Sequence, residues 1–136
     1  MNESTKPRPG SIAWVDVTVP NADRLRDFYS AVVGWSASNF EMGGYNDYCM
    51  NEPEAGKTVA GICHARGANA DLPSQWLVYI AVADLDRSMK RTVELGGTII
   101  TGPKPMGDLG RYCVIEDPAG AVAALFQPAE QRQAGA

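Results

Sequence analysis

At 136 residues, the chain is sized for one domain around a single core. A hydrophobic fraction of 45% and a charged fraction of 21% are ordinary for a globular protein, and a formal net charge of −4 with no run of Lys or Arg argues against a nucleic-acid partner. No apolar run reaches the length of a membrane span and MNESTKPRPG lacks a signal-peptide core, so a cytoplasmic location with no membrane partner is expected.

The three cysteines, Cys49, Cys63 and Cys113, are far apart and form no CxxC. Reduced thiols are expected rather than a disulfide framework or a zinc knuckle. Residues 1–10 and 129–136 are polar, without periodicity, and read as flexible tails.

The first strand is expected over Ser11–Val19. Val15, Val17 and Val19 share one face with Ala13; Trp14, Asp16 and Thr18 share the other. The valine face suits a covering helix, and the mixed face suits a pocket wall. Asn21 is placed to cap a helix, with Asp23 in the first turn where the helix dipole favours an anion. Leu25, Phe28, Tyr29, Val32 and Val33 recur at helical spacing, and Gly34 supplies a left-handed stop.

Three short strands are then expected at residues 35–40, 45–51 and 58–64, separated by Gly43-Gly44 and by EPEAGK. Residues 67–74 have linker composition. A strand over Trp76–Val82 follows, with Leu77, Tyr79 and Ala81 on one face and Trp76, Val78, Ile80 and Val82 on the other. Asp84 caps a second helix with the stripe Leu85, Met89, Thr92 and Val93, and Gly96-Gly97 stops it. Strands over residues 98–101, 111–116 and 121–127 close the chain, divided by GPKPMGDLG and by Asp117-Pro118-Ala119-Gly120.

The order is βαβββ twice. A 63-residue offset carries Val19 onto Val82, Asp23 onto Asp86, Arg24 onto Arg87 and Gly34 onto Gly97, which marks an internal duplication. The expected domain spans residues 11–128, with module one at 11–66, the linker at 67–74 and module two at 75–128.

This layout resembles the vicinal oxygen chelate superfamily of glyoxalases, bleomycin-resistance proteins and extradiol dioxygenases. The resemblance is carried by Phe28-Tyr29 and Gly34-Trp35, by VADLDRSMKRTVELGG and by the closing DPAGAVAALFQP, and it covers nearly the whole chain. It implies an α+β fold of two βαβββ modules, curled into a half-open sheet with a concave site. On that expectation Trp14, Asp16, Leu77 and Tyr79 face the cavity.

Metal-dependent members resembling this chain hold a divalent ion through His, Glu or Gln on four inner strands. The ion acts as a Lewis acid toward adjacent substrate oxygens. Carried over by motif spacing, three of those positions are Trp14, Leu77 and Ala124, and the repeat gives Gly61 as the fourth. None of these side chains can ligate a hard ion, so the family's metal site is expected to be absent, with no other cofactor. Asp16, His64, Cys63 and Glu116 are the residues from which another site could be rebuilt, but a lone thiol with one carboxylate is a poor set, and His64 reads as an outer-face edge residue.

Asp16 is the sharpest polar feature. Either it accepts a ligand hydrogen bond or acts as a general base, or it is a structural carboxylate satisfied by backbone or a tyrosine. Its repeat mate Tyr79 is placed to face it and to donate to a ligand carbonyl, or else to pack in the core. Trp14, Gly61, Leu77, Ala124 and Phe126 complete the expected ligand wall. Tyr45 and Tyr48 are further candidates, Trp76 reads as core, and Arg111 as a solvated edge residue.

Three functions follow as expectations. The first is metal-independent binding of a small aromatic or planar molecule. The second is a lyase, isomerase or dioxygenase of the family type, metal-dependent or with Asp16 as base. The third is an association module with a filled cavity. A homodimer is expected from the resemblance.

Overall fold

The structure is a computed structural model and describes residues 6–130, apart from the Ala68 side chain. The outer parts of both expected tails, residues 1–5 and 131–136, lie outside the described residues.

The elements run β1 (Ile12–Val19), α1 (Ala22–Val33), β2 (Ser36–Glu41), β3 (Asn46–Asn51), β4 (Thr58–His64), β5 (Trp76–Ala81), α2 (Leu85–Glu94), β6 (Thr98–Pro105), β7 (Gly110–Glu116) and β8 (Val122–Pro128). The fold class is α+β, with the βαβββ order made twice. A single 3₁₀ turn at Gly67–Asn69 interrupts the linker segment. The described residues form two compact units, one of residues 14–77 and one that joins residues 6–13 to residues 78–130.

In the first unit the strands lie in the order β2-β3-β4-β1, and in the second β5-β8-β7-β6. The two closures use one register. Parallel β1 and β4 align Asp16 with Gly61, and parallel β5 and β8 align Tyr79 with Ala124. Both pairs differ by 63 residues from one unit to the other, so the duplication is structural as well as sequential.

Each helix starts as its cap dictates. Asn21 Oδ1 accepts from the Arg24 N–H at 3.0 Å, and Asp84 Oδ1 from the Arg87 N–H at 3.1 Å. Gly34 ends α1 with φ near +80°, a left-handed conformation open to glycine. In α2 the left-handed residue is Gly96 and not Gly97, and the helix ends at Glu94, two residues before the repeat mate of Val33.

The core of the first unit lies between α1 and the sheet. It contains Val17, Ala22, Tyr48, Met50 and Ile62, with Leu25, Tyr29, Trp35 and Trp76 packed against it. Only part of the expected α1 stripe is covered, because Phe28, Val32 and Val33 stay exposed. Leu25 and Tyr29, four residues apart, define the buried line; Phe28 and Val32 lie along its flank. In the second unit Leu85, Cys113 and Leu125 form the core, with Ile80, Val82, Met89 and Ile115 around it, whereas Val93 is exposed.

The strand expected at 98–101 runs on to Pro105. Register shifts after Ile99 and after Thr101 break its pairing with β7 and let an edge strand tolerate Pro103 and Pro105. The Gly102–Pro103 peptide is cis. Before β1, the Gly10 N–H donates to the Ala81 carbonyl at 2.7 Å and the Ala81 N–H to the Ser11 carbonyl at 2.9 Å.

Candidate functional site

In the first unit, alternation along β1 turns Val17 and Val19 toward α1 and leaves Trp14, Asp16 and Thr18 on the opposite face. Asp16 and Thr18 are buried, and Trp14 is half-buried. The indole Nε1–H of Trp14 donates to Asp16 Oδ2 at 3.2 Å, which fixes the carboxylate beside the ring. A methyl group built on Gly61 would stand 3.0 Å from Trp14 Cζ2 and 3.2 Å from Asp16 Cβ. The indole therefore takes the room that a glycine provides on β4.

Two more polar groups lie on β3 and β4. Asp47 is buried, and its Oδ1 accepts from the His64 backbone N–H at 2.9 Å. The Cys63 thiol hydrogen-bonds to Asp47. Burial, and then the Asp16 and Asp47 carboxylates, push its pKa above the usual thiol range and disfavour the thiolate.

At the α1 end of β4 a cluster forms that sequence spacing does not reveal. The His64 ring sits with Nδ1 3.3 Å from Asp47 Oδ1 and Nε2 3.6 Å from Asp23 Oδ1. The Tyr48 hydroxyl donates to Asp23, which pushes the phenol pKa up, and Arg26 lies over the Tyr48 ring at 4.6 Å. Tyr48 thus belongs to the helix side and not to the Trp14 face. Tyr45 meets the His64 ring edge-on at 5.6 Å, with Arg66 above it at 4.0 Å. His64 is a half-buried member of this array and no simple edge residue. The residues are 17 and 25 apart in sequence, which no local motif joins.

In the second unit, Tyr79 on β5 stands beside Ala124 on β8, and Phe126 is opposite Tyr112 across β8 and β7. The Tyr79 and Tyr112 rings are 6.0 Å apart. Tyr79, Ala124 and Phe126 are all buried; Leu77, the last residue of the first unit, is buried there as well. Leu125 packs under α2, so Ala124 and Phe126 take the opposite sheet face. Arg111 reaches Asp86 at 3.4 Å and Gln127 at 3.3 Å, a partner set internal to this unit.

At the four positions carried over from the family, the donor chemistry does not fit a divalent ion. Trp14, Gly61, Leu77 and Ala124 offer no side-chain oxygen, imidazole or thiolate. Among the described residues, no three His, Cys, Asp or Glu side chains come together to hold a metal ion. The three cysteines are free thiols.

Residues 11–125 match the model of the Glyoxalase/Bleomycin resistance protein/Dioxygenase superfamily, and the chain belongs to that superfamily. It is 31% identical over 123 residues to "Putative glyoxylase CFP32" of Mycobacterium bovis, covering 90% of this chain and 46% of that protein. It is 33% identical over 138 aligned positions to anthracycline biosynthesis protein DnrV of Streptomyces peucetius, covering 90% of this chain and 49% of that protein. The chain thus spans about half the length of the curated relatives it matches. Among solved structures, a methylmalonyl-CoA epimerase from Mycobacterium tuberculosis superposes with a TM-score of 0.57 at 17% identity, over 95% of this chain and 94% of the other, a likeness of fold.

Proposed function

We propose that this chain is a metal-independent member of the superfamily that binds a small aromatic or planar molecule on the sheet face carrying Trp14 and Asp16. The observation that carries the reading is the Trp14–Asp16 pair itself. An indole stands where the resemblance puts a metal-binding histidine, and its Nε1 holds the neighbouring carboxylate at 3.2 Å. An aromatic surface beside an oriented acceptor is what a planar ligand with a hydrogen-bond donor requires. Gly61 and Leu77 are assigned to the same ligand wall, and Tyr79, Ala124 and Phe126 to the equivalent sheet face of the second unit. The Streptomyces relative is named for the biosynthesis of anthracyclines, which are planar aromatic compounds, and a ligand of that shape is in keeping with this wall.

A second reading rests on the burial of Asp16, which leaves it 8% exposed. There Asp16 is the general base of a metal-free lyase, isomerase or dioxygenase. In both readings the protein acts in the cytoplasm, where its thiols stay reduced, and pairs as a homodimer.

Elemental analysis of protein purified without chelator tests the metal claim: no stoichiometric Ni, Zn, Fe or Mn is expected, and one ion per chain surviving dialysis overturns it. Thermal-shift screening against planar aromatic compounds tests the ligand claim, since binding to the native state raises the melting temperature. Loss of the shift in Trp14→Ala is the expected result. A shift unchanged in that variant removes Trp14 from the site.

A further inference from the structure

The two units fill the space between helix and sheet in different ways. Fixed by the two N-caps, Leu25 and Tyr29 of α1 correspond to Ser88 and Thr92 of α2, and the buried first residues Ala22 and Leu85 correspond as well. After the left-handed glycine the first unit has Trp35 and the second has Gly97.

In the first unit three aromatic rings occupy this space. Tyr29 stands 5.7 Å from Trp35 and 5.3 Å from Trp76, whose Nε1–H donates to the Tyr29 hydroxyl at 3.0 Å. In the second unit no aromatic ring among the described residues takes their place, and Met89 of α2 packs against the core instead. A methyl group at Gly97 would meet Thr92 Cγ2 at 2.8 Å and the Glu116 carbonyl at 2.9 Å, so the backbone itself forbids a side chain there. The result is an open groove of about 430 Å³ on the α2 side of the sheet, floored by Val82, Ile115 and Leu125. Thr92 and Ser88 form its wall, and the Thr92 hydroxyl is already spent on the Ser88 carbonyl at 2.8 Å.

The groove carries two cations and one acid in its lining. Arg87 and Arg91, one helical turn apart, both line it. Arg91 is held by Glu94 at 2.8 Å, whereas Arg87 has no ion pair among the described residues. Asp117 also lines the groove, but its Oδ1 accepts from the Ala119 and Ala121 N–H groups at 2.9 and 3.0 Å, which ties it to its own turn.

We propose that this groove is a second binding site, separate from the Trp14 face, and that it takes a small aromatic carboxylate. The ring of the ligand fills the space that Tyr29, Trp35 and Trp76 fill in the first unit, and its carboxylate pairs with the Arg87 guanidinium.

Titrating the ¹⁵N-labelled full chain with 2-naphthoate tests this. Amide shifts are expected at Ser88, Thr92, Leu95 and Ile115. Arg87→Gln is expected to weaken binding by about tenfold or more, as for a lost hydrogen bond to a charged group, and neutral 2-naphthamide to bind correspondingly worse. Thr92→Tyr restores the residue of the first unit and is expected to abolish binding. Ser88→Leu, a smaller filling change, does the same should the tyrosine variant not fold. Shifts confined to β1 and β4, or absent at millimolar naphthoate, overturn the proposal. Equal binding of the amide overturns the role of Arg87. Concentration-dependent shifts at the same amides without probe identify a second copy of the chain as the occupant and also overturn it. Trp14→Ala is expected to leave naphthoate binding in the groove unchanged, so a failure of the Trp14 reading is seen separately.

Discussion

The Trp14 indole lies against the bare Cα of Gly61, on the strand paired with its own. Adding a methyl group at 61 puts it 3.0 Å from the ring, tighter than most packed carbons, so the ring has to give way. Gly61→Ala is therefore predicted to destabilise the protein by about 1–3 kcal/mol, the usual cost of overpacking. Urea denaturation of Gly61→Ala, Trp14→Ala and the double variant checks this. The double-mutant cycle is expected to show a coupling of roughly 1 kcal/mol or more. A Gly61→Ala protein as stable as the parent would show that the indole yields freely.

Tyr48→Phe keeps a ring for Arg26 to cover and removes only the hydroxyl that donates to Asp23. The predicted loss is on the order of 1–2 kcal/mol, typical of a hydrogen bond to a charged acceptor. Hydrogen exchange should localise it to the first turn of α1, where Asp23 sits. A uniform change across the chain would argue against that assignment.

Alkaline pH should weaken the fold before it reaches the arginines. Burial pushes the Cys113 thiol up from 9.0 to about 11, and the Asp23 partner pushes the Tyr48 phenol up from its ordinary 10.0. Below pH 9 the thiol is protonated in both folded and unfolded chains. Above it the unfolded chain ionises first, so stability present below pH 9 is lost as pH rises toward 11. The Cys113 share is on the order of 2 kcal/mol. Urea midpoints between pH 8 and pH 10.5 are expected to fall, and less steeply for Cys113→Ala. A flat profile in the parent protein would contradict the burial effect.

Removing either helix cap should cost a similar amount. Asn21→Ala and Asp84→Ala each delete the acceptor of one N–H bond, at 3.0 and 3.1 Å. Each is predicted to destabilise by about 1 kcal/mol. Guanidinium melts of the two variants provide the measurement, and no effect in either would mean that water replaces the cap.

Much of the fold is legible in the sequence because its signals are local. Caps, alternation and glycine stops act within a few residues, and they place β1, both helices and the 63-residue repeat. The α1 stripe was broader on paper than in the protein. Hydrophobic spacing marks Phe28 and Val32 as apolar but does not say how wide a strip the sheet covers. The β6 extension is hidden in the sequence because proline usually ends a strand, whereas an unpaired edge removes that objection. The site is less legible. Side-chain parity puts Trp14 and Asp16 on one face, but the Tyr48–Asp23–His64–Asp47 array joins β3, β4 and α1 across long separations. The groove beside α2 appears only when the two units are compared ring by ring, since the sequence of α2 reads as an ordinary polar helix.

The shared register of Asp16 with Gly61 and Tyr79 with Ala124 bears on the order in which the molecule assembles. Each unit closes by bringing together two parallel strands whose paired residues are 45 positions apart, while its remaining strands meet neighbours across short turns. The entropy of closing so long a segment is lost before the pairing returns anything, which makes local meanders the early structures and parallel closure the late step. Pulse-labelled exchange should then protect the β7–β8 ladder before the β5–β8 ladder, and the duplication would have copied a folding sequence along with a shape.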